Sequence, residues 1–314
     1  MKTGTRLSLF ALGLGSIFSA AVGIGSLVEP ADTSSDSVHA ERSHQSMGNE
    51  EEMKRHGGHE DMSAAPAGLA ISEGGYSLRL HPAFFDVGQG RELHFSIIDS
   101  RGKTITEFDE THDRRMHLIA VRRDGTDFRH LHPEMDDAGT WTALASFDDA
   151  GVYRVFADFS VGGGSRTLAT DLFASGGHFQ ADPFPDPRSE DETNGYVVHL
   201  DSDDAVAGES ASLSLSVERD GEPVEDLAPY LGAKGHLVAL REGDLAFLHV
   251  HPEEAGDDHG HGEDSRGHEA EGEAGGNEIA FAATFPTPGR YRLYLQFKHK
   301  SAVQTAQFTV AVRQ

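Results

Sequence analysis

The sequence predicts an all-β protein built from two tandem β-sandwiches, preceded by an N-terminal export or anchor helix and a disordered tether. Three observations predict it. From Tyr76 onward the chain consists of short runs rich in Val, Ile, Leu, Phe and Tyr, punctuated by Gly, Asp-Gly and Pro turns, with no sustained 3.6-residue period. The runs also occur twice in the same order. Tyr76-Ser-Leu-Arg-Leu matches Tyr196-Val-Val-His-Leu, and Leu93-His-Phe-Ser-Ile matches Leu213-Ser-Leu-Ser-Val. Gly151-Val-Tyr-Arg-Val-Phe-Ala-Asp-Phe matches Gly289-Arg-Tyr-Arg-Leu-Tyr-Leu-Gln-Phe. Finally, each copy holds about seven short strands in roughly 100 residues, the strand count and size of an immunoglobulin-like sandwich.

The elements follow in chain order. Residues 1–28 read as a signal peptide or membrane anchor, because Lys2 and Arg6 precede an uncharged apolar and small-residue run from Leu7 to Val28. As a helix that run would span roughly 33 Å, enough to cross a bilayer, while Ser19-Ala20-Ala21 offers a cleavage site. Cleavage and retention both fit. Positive charge before the run and acidic residues after it place the rest outside the cytoplasm, secreted or anchored by residues 7–28.

Residues 29–75 are Ser, Asp, Glu, His, Gly and Ala with almost no large apolar side chain, so burial cannot offset the entropy of ordering them. This tether carries His39, His44, Met47, Met53, His56, His59 and Met62, a loose set of soft and borderline metal ligands or simply a solvated linker. The first repeat then spans 76–175 and the second 196–314, joined by a Pro-rich, acidic linker at 176–195. Within the second repeat, 253–277 read as a disordered acidic loop carrying His259, His261 and His268.

Composition narrows the chemistry. The chain has 52 Asp plus Glu against 26 Lys plus Arg, a balance that repels phosphate backbones and anionic lipid, so nucleic acid is excluded and the membrane is met only through the N-terminal segment. Absence of Cys removes disulfides, thiolate metal sites and Cys nucleophiles. Any metal must be held by His, carboxylate or Met, and the chain has 19 His.

The closest match between the copies runs from His117 through His130, His132 and Pro133 to Glu134, and from His236 through His249, His251 and Pro252 to Glu253, without a gap. Asp124-Gly125 and Gly243-Asp244 at the midpoints read as two-residue hairpin turns of types I′ and II′. With 123 and 126 flanking the first turn, His117 faces His132, Ile119 faces His130, and likewise His236 faces His251. Alternate residues share a face, so three imidazoles converge on one side of each hairpin. Metal-binding residues are therefore expected at His117, His130, His132, His236, His249 and His251, one three-His site per repeat, with Cu or Zn as the ion. Glu134, Glu253, His112, Asp113, Asp158 and His299 are candidates for a fourth ligand. Against this stands a purely structural role. Three histidines on one face would then need about six hydrogen-bond partners for their ring nitrogens.

At these residues the chain resembles exported bacterial proteins with paired immunoglobulin-like repeats, often labelled heavy-metal-binding. The resemblance covers Tyr76 to Val312 and rests on the hairpin that begins at His117 and again at His236. It implies metal handling outside the cytoplasm without specifying a reaction. Metal ions and another exported metal-handling protein are the expected partners. Three functions fit the residues: binding, sequestration or delivery of a transition metal; a metalloenzyme with an open three-His site; and a surface scaffold or adhesion module with structural histidines. No phosphate loop, nucleotide fingerprint, nucleophile elbow or His-Glu-x-x-His helix is present.

Overall fold

The structure is a computed structural model that describes residues 66–202, 204–252 and 278–314, apart from the side chains of His249 and His251. The expected export helix, most of the tether and the His-rich loop lie outside the described residues. Among the described residues no helix is long and apolar enough to cross a membrane.

The fold is all-β, two immunoglobulin-like sandwiches in tandem. The first contains β1 (Ser72–Glu73), β2 (Tyr76–His81), β3 (Phe84–Asp86), β4 (Arg91–Asp99), β5 (His117–Arg122), β6 (Arg129–Leu131), β7 (Glu134–Met135), β8 (Trp141–Ala145), β9 (Gly151–Val161) and β10 (Gly164–Ser175). The second contains β11 (Glu190–Thr193), β12 (Tyr196–Ser202), β13 (Ser210–Arg219), β14 (Glu222–Pro223), β15 (Leu227–Ala228), β16 (Gly235–Arg241), β17 (Phe247–His249), β18 (His251–Pro252), β19 (Glu278–Thr284), β20 (Gly289–His299) and β21 (Ala302–Val312).

One sheet of the first sandwich runs β1-β2-β4-β8-β7 and the other β3-β10-β9-β5-β6. In the second sandwich β11-β12-β13-β19-β18 faces a sheet in which β15 and β16 both pair with β20, β17 pairs with β16, and β21 lies along β20. The topologies correspond strand for strand around the hairpins, β5-β6 matching β16-β17. Alternation along the strands fills each core. Leu93, Phe95 and Ile97 of β4 meet Trp141, Tyr153 and Val155 in the first, and Leu213, Leu215 and Val217 of β13 meet Phe281, Tyr291 and Leu293 in the second.

A third core lies between the sandwiches, which belong to one compact unit. Ile119, Val121, Phe128, Phe156 and Ala169 of the first repeat pack with Val238, Leu240, Leu245, Phe247 and Tyr294 of the second. Period-2 alternation explains the choice of residues. On β5, Leu118 and Ala120 face their own core while His117, Ile119 and Val121 face outward, and on β16 Leu237 and Ala239 face inward while His236, Val238 and Leu240 face outward. All six residues of β5 are buried because both of its faces are covered. Each fully buried aliphatic or aromatic side chain at such a seam contributes about 1.5–3 kcal/mol.

Two boundaries differ from the expectation. The tether was expected to reach residue 75, yet β1 lies within it and the segment before β1 enters the seam between the sandwiches. Gly68 N–H donates to Thr167 O at 3.0 Å, Phe247 N–H donates to Ala67 O at 2.9 Å, and Arg154 donates to the Gly68 and Leu69 carbonyls. Backbone hydrogen bonds hold a segment whose side chains offer little to bury. The linker, expected to run to residue 195, ends earlier, because Glu190–Thr193 pair with β12. Its middle is tied down as well: Asp182 N–H donates to Asp124 Oδ2 at 3.0 Å, and Arg122 donates to Asp182 Oδ2 at 2.7 Å.

Candidate metal centre

The two hairpins keep the expected register but reach it through other turns. Leu118 pairs with Leu131, Ile119 with His130 and Ala120 with Arg129. Val238 likewise pairs with His249. At the first tip Gly125 N–H donates to Arg122 O and Arg122 N–H to Thr126 O, a three-residue loop closed by Gly125 at φ 79, so Asp124-Gly125 is not a type I′ pair. Asp127, at φ 47, then absorbs one extra residue and restores the pairing. At the second tip Leu245 N–H donates to Arg241 O and Arg241 N–H to Ala246 O, which makes a four-residue loop instead of a type II′ turn. Arg122 with Asp124 and Arg241 with Asp244 clamp the two tips in the same way.

Three of the six expected residues come together, and they come from both repeats. The ligand atoms of His117, His130 and His236 all lie within 4.8 Å of one another. His117 and His130 ring centroids are 5.2 Å apart, His117 and His236 5.5 Å, and His130 and His236 5.0 Å. About 5 Å is the separation of imidazoles arranged tetrahedrally around one ion with 2.0–2.1 Å bonds. His132 packs beside them, 4.7 Å from His130 and 5.5 Å from His117, and its buried Nε2 has no hydrogen-bond partner. The side chains of His249 and His251 lie outside the described residues. Instead of one hairpin serving each site, the seam brings the outward face of β5 against that of β16.

Hydrogen bonds fix which nitrogens are free to bind. His117 Nε2–H donates to the Thr111 carbonyl at 3.3 Å, and His130 Nδ1–H donates to Gln296 Oε1 at 2.5 Å. Carbonyl oxygens only accept, so each bond places the ring proton on the far nitrogen. His117 Nδ1 and His130 Nε2 then aim lone pairs at each other across 3.0 Å. A cation between them removes that repulsion, and with 2.0–2.1 Å bonds the separation corresponds to about 95° at the ion. Such carbonyl partners behind metal-bound imidazoles orient the ligand and fix its tautomer.

The electrostatics keep these rings neutral. Burial pushes the His117 pKa down, against the opposing charge of Asp158. Burial, followed by the neighbouring His236, His117 and His132, holds His130 well below the usual histidine range. Burial and His117 lower His132 to about 4. Neutral imidazole is the form that ligates a metal.

The candidates for a fourth ligand separate. Pro133 turns the chain so that Glu134, exposed, pairs with Thr142 in the other sheet and leaves the cluster. His299 bonds Tyr196 at 2.8 Å and Asp226 at 3.0 Å, engaged by groups other than the cluster. Asp158 pairs with His117 across β5 and β9 and accepts from Thr167 at 2.8 Å. The His112 ring lies 5.8 Å from His236 and 6.2 Å from His117. Asp113 sits on the turn beside His112, its carboxylate 3.8 Å from where a Cβ on Gly232 would stand. Glu253 is outside the described residues. Gln296 was not among the candidates, although the repeat alignment already places it opposite Asp158, a neutral amide where the first repeat has a carboxylate.

The family described as Domain of unknown function (DUF8832) matches residues 71–176 and 191–314. The chain belongs to this family. Both matched segments of the DUF8832 chain coincide with the sandwiches, and the histidines that meet at the seam come from both. No curated protein matches. Solved structures similar to it include a Salmonella alpha-2-macroglobulin reacted with methylamine, 12% identical with TM-score 0.26, covering 79% of this chain and 15% of that one. The Yersinia pseudotuberculosis adhesin InvE is 13% identical with TM-score 0.22, covering 76% of this chain and 60% of that one. The Escherichia coli adhesin FdeC is 19% identical with TM-score 0.22, covering 80% and 66%. The chain thus spans less than two thirds of each of these three.

Proposed function

We propose that this protein binds a transition metal ion, Cu or Zn, outside the cytoplasm, at a site shared by its two repeats, and that its role is sequestration or delivery of that ion. The observation that carries the reading is the meeting of His117, His130 and His236, whose donor atoms lie within 4.8 Å of one another at the seam. All-nitrogen, with His117 buried and His130 and His236 half-buried, this set suits a borderline divalent ion better than Ca or Mg, which take oxygen ligands. The His132 ring packs against this set, 4.7 Å from His130. His249 and His251 enter the proposal on their sequence correspondence to His130 and His132. The uncharged apolar run at residues 7–28, with Lys2 and Arg6 before it, supports the location as a signal peptide or anchor would, and another exported metal-handling protein is the proposed partner.

A ligand set enclosed between two sandwiches suits holding an ion more than turning over a substrate, which favours a carrier over a metalloenzyme. Calorimetric titration of the metal-free full chain with Zn and with Cu(II) tests the reading. One tight binding event is expected, lost in His130→Ala and in His236→Ala while far-UV circular dichroism stays that of the parent. Tight binding that survives both substitutions would sink it.

A further inference from the structure

A turn in the first repeat brings a further imidazole to the cluster, and the matching turn in the second repeat brings none. Thr111 N–H donates to Arg114 O at 2.8 Å and Arg114 N–H to Thr111 O at 3.1 Å, closing a two-residue turn with His112 at φ 51 and Asp113 at φ 59. Positive φ at both central residues is the type I′ shape, which Asn-Gly adopts readily and which costs about 1–2 kcal/mol per residue with a Cβ. Tyr230 and Ala233 close the same turn in the second repeat, with Leu231 at φ 56 and Gly232 at φ 83. Counting back from His117 and His236 sets His112 against Leu231 and Asp113 against Gly232. Both turns hold a residue with a Cβ at positive φ, His112 and Asp113 in one copy and Leu231 in the other, but only the first presents a ligand ring there, which points to a task present on one side only.

Position agrees. The Thr111 carbonyl that orients His117 belongs to this same turn. His112 is exposed, whereas His117 is 1% exposed. Its ring stands 5.8 Å from His236 and 6.2 Å from His117, just outside the 5.0–5.5 Å spacing of the three inner rings and on their solvent side. Its turn lies at the surface, exposed from His112 to Arg115, while the inner rings are held by the packed seam. We propose that His112 is the solvent-facing fourth nitrogen ligand of the shared site, closing the coordination shell of a borderline divalent ion such as Zn, Cu(II) or Co(II). The inference rests on the metal reading above. It makes the site asymmetric: ions reach it past the first repeat's turn, and Leu231 offers no donor on the other.

Co(II) loaded into the full chain tests this, because its visible absorption is intense in four-coordinate sites and weak when water raises the coordination number. His112→Leu, the residue at the matching position of the second repeat, is expected to lower that absorption several-fold. Because the chain has no Cys, His112→Cys is expected to bring a new near-ultraviolet thiolate-to-cobalt charge-transfer band, which His94→Cys, on the far sheet of the first sandwich, does not show. An unchanged visible spectrum in His112→Leu, or no charge-transfer band in His112→Cys, overturns the assignment of His112. A parent chain that takes up no Co(II), Zn or Cu(II) overturns instead the metal reading beneath it.

Discussion

His117 of the first repeat and His236 of the second stack with ring centroids 5.5 Å apart and planes only 10° apart. Each occupies the same place in its own sandwich, on the outward face of the strand that opens the hairpin, two residues before Ile119 and Val238 of the seam. The apolar seam therefore sets the distance between the imidazoles, and the site exists only while the sandwiches are packed.

The two histidines belong to one site. His117→Ala and His236→Ala are each expected to abolish the same tight binding event, and the double substitution to remove no more than either single one, because the effects of residues sharing a ligand do not add. Competition titration with a chromophoric chelator measures this. Two independent sites would leave half of the bound metal in each single variant.

Bound metal is expected to stabilise the folded pair. An ion that binds only the packed state at 100 times its dissociation constant adds about 2.7 kcal/mol, and a chelator removes it. Melting followed by calorimetry should show an upward shift with Zn in the parent and none in His130→Ala. Equal shifts in the two proteins would place the stabilising ion elsewhere.

The seam is sensitive to its inserted segment. Gly68 sits at φ 72, and a Cβ there would lie 2.8 Å from the Phe156 ring and 2.9 Å from Phe247 Cβ. Gly75, at φ 85, has nothing within 4 Å of its added Cβ. Both alanine variants carry the backbone cost of about 1–2 kcal/mol, but Gly68→Ala should lose clearly more in urea denaturation. Phe156→Ala, which empties the same place, is expected to cost about 3–5 kcal/mol. Equal losses in Gly68→Ala and Gly75→Ala would mean that the segment is not wedged.

Acid should loosen the first hairpin tip. Burial works to raise the Asp124 pKa, but hydrogen bonds from Arg122, the Asp182 N–H and Thr126 outweigh it and hold the carboxyl below its ordinary value. A carboxylate whose folded pKa is depressed contributes stability in full above its unfolded value near 4, and loses it as pH falls from about 5 through the folded value. Asp124→Asn should therefore melt lower than the parent at pH 7, and the difference should shrink toward pH 3. A difference independent of pH would assign the effect to packing.

Much of this was legible in the residues. The repeated runs showed two β-sandwiches, and the spacing of His117, His130 and His132 showed the hairpin pairing, although Asp124-Gly125 suggested a shorter turn than the one formed. The Asp127 bulge compensates, so the register came out the same. Less visible was the meaning of the unbroken apolar run Leu118-Ile-Ala-Val121 and its partner Leu237-Val-Ala-Leu240. Strands with one wet face alternate, and an unbroken run signals that both faces are covered.

What the sequence by itself determined is which side of its strand each of His117, His130 and His236 takes, because a period of two is a property of the local backbone. Tertiary structure alone decided what lies opposite that side: the outward face of β5 met that of β16, so His117 and His130 found His236 and Gln296 of the other repeat. The physical reason is that burial of apolar surface is non-directional. Ile119, Val121, Val238 and Leu240 required some cover, and only the packing of two complete sandwiches specified that they cover each other.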